Sequence, residues 1–152
     1  MEIKRSLEKV DCSSYTGTHY SFSSLEEAFQ SSQMKHGQKV DSIFEALSKS
    51  VLNKALSEIG VGWGNRLQAQ AKKFIPVYVE TGGSFSDALD HLLATKIFRN
   101  GKVTGRYDIN AEKIQDILDA LEKTWVGLGL DDYPTNSIIQ LEKDLLRIKE
   151  AS

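Results

Sequence analysis

The chain reads as an all-α protein, a single-domain orthogonal bundle of about six helices with an irregular N-terminal arm and at most one short β-hairpin. Three observations predict this. Apolar residues recur three or four positions apart along most of the sequence, the period of a helix with one buried face. Period-two alternation, the mark of a strand, is confined to Tyr20 and Phe22. Glycine, asparagine, serine and proline fall between the periodic segments, where helices start and stop.

The arm comes first. Residues 1–22 carry Ser13, Ser14, Thr16, Gly17 and Thr18, which favour turns or extended chain, and allow one short strand at Tyr20 and Phe22. The bundle is assigned to 23–152. Ser24-Leu25-Glu26-Glu27 has the form of a capping box, predicting a first helix over 25–35 that stops near Gly37. A second stripe, Ile43, Phe44, Leu47, Val51, Leu52, Leu56 and Ile59, predicts a helix capped by Asp41 and ended by Gly60.

A third helix starts at Gly64 or Asn65 and carries Leu67, Ala71, Phe74, Ile75 and Tyr78. Pro76 lies within it and predicts a kink or an end, because proline removes a donor and crowds the preceding turn. Gly82-Gly83 breaks the chain, and Ser84 or Ser86 caps a fourth helix with Leu89, Leu92, Leu93, Ile97 and Phe98 inward. Asn100-Gly101 is a turn pair, after which 102–107 forms a loop or one arm of a hairpin. Asn110 caps a fifth helix, stopped by Gly127. The sixth starts between Pro134 and Ser137.

Composition narrows the function. The chain has 152 residues, with 40% hydrophobic, 26% charged and a formal net charge of −2, which is ordinary for a globular protein and argues against a strongly basic nucleic-acid binder. Cys12 is the sole cysteine, which excludes an intrachain disulfide and a thiolate cluster and fits a reducing cytoplasm. No leader peptide and no apolar run of membrane-spanning length are visible, so a cytoplasmic, soluble chain is expected, with no membrane partner.

Catalytic equipment is missing at the level of motif. There is no phosphate-binding Gly-x-x-x-x-Gly-Lys-Ser/Thr loop, and Gly60, Gly62 and Gly64 follow a helix where a dinucleotide turn requires a strand. His19, His36 and His91 are far apart and lack metal-ligand spacing. Cys12 with His19 is a conceivable nucleophile pair that nothing positions. Glu26-Glu27 point in different directions on a helix, and Asp131-Asp132 reads as a polar turn priming the last helix. No catalytic or metal-binding residue is assigned, and no enzyme activity is expected of the chain alone.

Two features stand out. The first is Trp63-Gly64-Asn65-Arg66, which places an arginine at the start of a helix, where its fork suits phosphate oxygens. A solvated arginine is the competing reading. The second is Lys96, Arg99, Lys102 and Arg106, a basic cluster with no acidic residue between Asp90 and Asp108. It suits phosphate of a nucleotide or weak, salt-sensitive nucleic-acid contact, and also the stabilisation of a helix C-terminus.

The run from Gly64-Asn65-Arg66 through Phe74-Ile75, then Ala88-Leu89-Asp90, then Lys96-Ile97-Phe98, resembles the C-terminal helical lid of McrB-like AAA+ NTPases. Gly105, the fifth helix and Pro134-Thr135-Asn136-Ser137 follow in the corresponding order, so the resemblance spans about residues 43–148. Phe98-Arg99 departs from the Leu-Pro of that family, and Asn136 from its basic residue. The resemblance implies a lid without its own phosphate loop, acting in a restriction or defence assembly. Arg66 would then be a nucleotide sensor, and ATP or GTP would be held only with a partner core domain. The alternative is a free-standing helical adaptor or regulator, of phage or mobile-element origin, contacting a protein partner through Trp63 and the Phe22 arm.

Overall fold

The computed structural model describes residues 17–99, 102, 103, 105 and 109–151. Six helices follow one another, α1 (Phe22–Ser48), α2 (Val51–Glu58), α3 (Asn65–Glu80), α4 (Phe85–Lys96), α5 (Ala111–Gly127) and α6 (Thr135–Ala151). Among the described residues there is no strand, and the fold is an all-helical bundle. Phe22, expected in a strand or arm, is the first residue of α1. Cys12 and Arg106 lie outside the described residues, as do Thr104 and Tyr107.

The first two helices divide differently from the sequence expectation. α1 runs unbroken through Gly37 for 27 residues, and the break comes at Lys49 and Ser50. Nothing lies within 4 Å of where a Cβ on Gly37 would stand, so this glycine forms no turn and only lowers local helix propensity. Ser21, and not Ser24, is the N-cap, its side chain accepting from the Ser24 N–H. Ser50 caps α2 in the same way by accepting from the Asn53 N–H.

Asp41, expected as a cap, sits mid-helix and joins α1 to α3. Its carboxylate accepts from Lys72 Nζ at 2.9 Å and Gln68 Nε2 at 3.2 Å, and the Lys72 hydrogen bond holds its carboxyl below the usual range. A turn earlier on α1, Lys35 and His36 meet Glu80 of α3 at 2.7 and 2.6 Å. Val40, Ile43, Phe44 and Leu47 of α1 pack into the same core as Leu67, Ala71 and Ile75 of α3.

α3 continues past Pro76 to Glu80, so the proline does not end it. Pro76 is buried among core neighbours, and tertiary packing holds a turn that has lost one backbone donor. The stop comes at Gly82, which adopts φ +97°; the Gly82 N–H donates to Val79 O and the Gly83 N–H to Tyr78 O, both at 3.0 Å. This is a Schellman closure, and α2 ends likewise at Gly60, with Val61 folding back to donate to Leu56 O.

α4 is the central helix, with Ala88, Leu89, Leu92, Leu93 and Ala94 all buried. It packs against α3 on one side and α6 on the other, while α5 bridges α2 and α6. Burying side chains such as Leu52, Leu89, Ile114, Ile117 and Leu121 supplies the main driving force, about 1.5–3 kcal/mol for each fully covered side chain. The α5–α6 loop is pinned by Trp125, whose Nε1–H donates to the Asp132 carbonyl, and by Tyr133, whose hydroxyl bonds Glu122. No described helix is long and apolar enough to cross a membrane.

Candidate anion-binding site

The site is built where α3 begins and α4 ends. Gly64 is the N-cap of α3, with an extended backbone and no side-chain cap, whereas α1, α2, α4 and α5 are capped by Ser21, Ser50, Ser84 and Asn110. The first-turn amides of α3 therefore keep the partial positive charge of a helix N-terminus. Arg66, in that first turn, is exposed. The far wall comes from α4 and the residues after it, where Lys96 is the last helical residue and Arg99 and Lys102 follow.

Arg66, Lys96, Arg99 and Lys102 converge on one hollow of about 310 Å³, with Trp63 and Gln70 also in its wall. Thus the structure brings together the two features that the sequence shows 30 residues or more apart. Arg106, the fourth member of the basic cluster, lies outside the described residues. Lys102 is partly committed, since its ammonium donates to the Lys96 carbonyl at the end of α4, the helix-terminus role that competes with phosphate binding. Among the described residues, Arg66, Lys96 and Arg99 make no salt bridge, whereas Lys35, Lys49 and Lys72 each pair with a carboxylate.

Trp63 is half-buried against the core and is not presented as an exposed anchor for a partner. Its Nε1–H is enclosed and has no acceptor, an uncommon state for a buried donor. Strongly exposed apolar residues lie elsewhere, among them Phe22 (80% exposed) and Met34 (87%) on the first half of α1 and Val126 (81%) on α5.

Sequence reasoning missed a second, larger hollow alongside. A groove of about 920 Å³ runs between α1, α3 and α4, floored by Phe74, Val77, Tyr78 and Leu92 and flanked by Phe29 and His91. Phe74 is the hub of its aromatic lining, with ring centroids 5.7 Å from both Tyr78 and His91. Gln70, Thr95 and Lys96 line both hollows, which makes the groove and the basic hollow continuous. The signal lies in Phe74 and Tyr78, four apart on α3, a spacing that core residues share.

The three histidines are not brought together. His36 is engaged with Glu80 in the α1–α3 seam, and His91 lines the groove. Among the described residues, no group of three or more His, Cys, Asp or Glu side chains could hold a metal ion. No family model, no curated protein and no solved structure matches the chain.

Proposed function

We propose that this chain is a non-catalytic helical lid or accessory domain of an AAA+ NTPase-type assembly, meeting the phosphates of a nucleotide held by a partner core domain. The single observation that carries this reading is the convergence of Arg66 with Lys96, Arg99 and Lys102 on one hollow at the start of α3. A guanidinium beside uncapped helix amides is suited to phosphate oxygens. Among the described residues the hollow is lined by four cations, a lining suited to recognition of an anion.

Further support comes from two segments of the lid-like pattern. The Asp90 of Ala88-Leu89-Asp90 bonds the backbone of Asn136 and Ser137 within Pro134–Ser137, so the two are structurally coupled. Rigid coupling between α4 and α6 suits a body that moves as a unit when nucleotide is hydrolysed elsewhere.

The test is an NMR titration of the chain with tripolyphosphate, alongside a fluorescent ATP analogue. The expected result is weak, salt-sensitive binding, with a dissociation constant no tighter than about 100 µM, that shifts the amides of Gly64–Leu67 and is lost in Arg66→Gln. Micromolar nucleotide binding by the chain alone would overturn the reading, as would tripolyphosphate leaving those amides unmoved.

A second reading, a free-standing protein-interaction adaptor, is favoured by the exposed Phe22, Leu25, Phe29 and Met34 of α1. A 1:1 complex that survives loss of Arg66 but not replacement of Phe22 would select it.

A further inference from the structure

The groove and the basic hollow share a wall. Among the described residues, not one carboxylate lines either of them, in a chain that carries 21 acidic residues and 19 lysines and arginines. Among the described residues, five cations border the pair, Lys73 on the groove, Lys96 at the junction, and Arg66, Arg99 and Lys102 around the hollow. The field inside is positive at one end, and the surface inside is aromatic and aliphatic at the other.

Ion pairing engages Lys35, Lys49, Lys72 and Arg147, but Lys73, Lys96, Arg66 and Arg99 have no carboxylate within salt-bridge distance among the described residues. The groove floor is also unusual for a surface. Phe74, Val77 and Tyr78 are only half-covered, and Phe29 stands 46% exposed at the rim. A volume of about 920 Å³ lies in the range of small-molecule sites, which are mostly apolar with a few converging polar groups.

We propose that the α1–α3–α4 groove and the basic hollow form one site for a small amphipathic anion. Its flat aromatic body would lie against Phe29, Phe74 and Tyr78. Its single acidic group, a sulfonate, carboxylate or phosphate monoester, would sit at the Lys96 junction within reach of Arg66 and Arg99. Charge complementarity selects an anion over a neutral or cationic ligand. The Phe74-centred ring cluster selects an aromatic body, because offset and edge-on ring contacts add to area burial. The site is complete within this one chain and does not rest on the accessory-domain reading.

The test uses two fluorescent probes that share a body and differ in charge, 1-anilinonaphthalene-8-sulfonate and the uncharged N-phenyl-1-naphthylamine. The expected result is saturable 1:1 binding of the sulfonate, about tenfold tighter than the neutral probe. The double variant Lys96→Gln/Arg99→Gln, both exposed positions, should abolish that preference while leaving neutral-probe binding within about twofold. Phe29→Ala should weaken both probes equally. The proposal is overturned if the double variant leaves sulfonate affinity unchanged, or if the neutral probe binds as tightly. It is also overturned if light scattering shows a dimer that saturating sulfonate dissociates, since the groove would then seat a second copy of the chain. Tripolyphosphate, lacking the aromatic body, should compete poorly, which separates this outcome from that of the nucleotide titration.

Discussion

The carboxylate of Asp90, on α4, accepts a hydrogen bond from the backbone N–H of Ser137 at 2.9 Å and so caps α6 from a distant helix. The same carboxylate accepts from the Asn136 N–H and from Asn136 Nδ2, each at 2.9 Å, while the Ser137 hydroxyl reaches the Asp90 carbonyl. Asp90 is 2% exposed. A buried negative charge is tolerable here because the N-terminus of α6 supplies three donors and a favourable dipole. Asp90→Ala should remove about 3 kcal/mol of stability, because the buried Ser137 amide and the part-buried Asn136 amide lose their acceptor along with the cap. Urea unfolding measures this, and the far-UV signal should stay helical below the transition.

Asp144 shows the opposite case. It is 1% exposed, both its carboxylate oxygens lack a hydrogen-bond partner, and the nearest cation is Arg147 at 3.7 Å. Burial pushes its carboxyl above 3.8, with Arg147 opposing. The folded chain therefore holds this proton more tightly than the unfolded chain. Stability from this group falls as pH rises from about 3.8 to the raised folded value, and the full penalty persists above it. Asp144→Asn should stabilise the chain at neutral pH by about 1–2 kcal/mol, and the gain should vanish in acid. A thermal unfolding series at several pH values would show this.

Glu80 carries the acid sensitivity of the α1–α3 seam. Hydrogen bonds from Lys35 and then His36 hold its carboxyl below 4.5. Because the folded value is depressed, its contribution is present above pH 4.5 and is lost as pH falls through that lower value. In Glu80→Gln the melting temperature should change less steeply with pH across this acid window. An unchanged slope would show that the contacts of Glu80 with Lys35 and His36 do not stabilise the seam.

Gly82 should resist substitution for a backbone reason. Its φ of +97° is costly for a side chain, so Gly82→Ala should destabilise by about 1 kcal/mol. Gly83→Ala tests the groove by another route, since a Cβ there would overlap the Tyr78 ring. That variant should displace Tyr78 and weaken binding of the aromatic sulfonate probe without altering the cations of the hollow.

The helical class and the number of helices were legible because the apolar periodicity of each segment is long, and the caps at Gly64, Ser84 and Asn110 stand next to it. Boundaries failed where a local signal met tertiary packing. Gly37 and Pro76 look like breaks, yet both lie in continuous helices anchored by buried neighbours, Val40 with Ile43 and Ile75. Asp41 looks like a cap, yet its partners are Gln68 and Lys72 on another helix, which no local pattern reveals. Arg66 and the cluster from Lys96 to Lys102 were visible separately; only the packing of α3 on α4 joins them. The groove was illegible because half-covered aromatic residues have the same spacing as fully covered ones.

Residues 22–31 of the 27-residue α1 are all exposed, and the first buried position is Ser32. A helical end of this length, resting on so little of the core, has little stability of its own, since short helices in water are marginal. Its amide protons should therefore exchange with solvent orders of magnitude faster than those of Val40–Leu47, which open only with the whole bundle. Phe29 stands at the boundary of this easily melted stretch, so whatever settles against it should slow exchange along the adjoining turns and extend the rigid part of α1 toward Phe22.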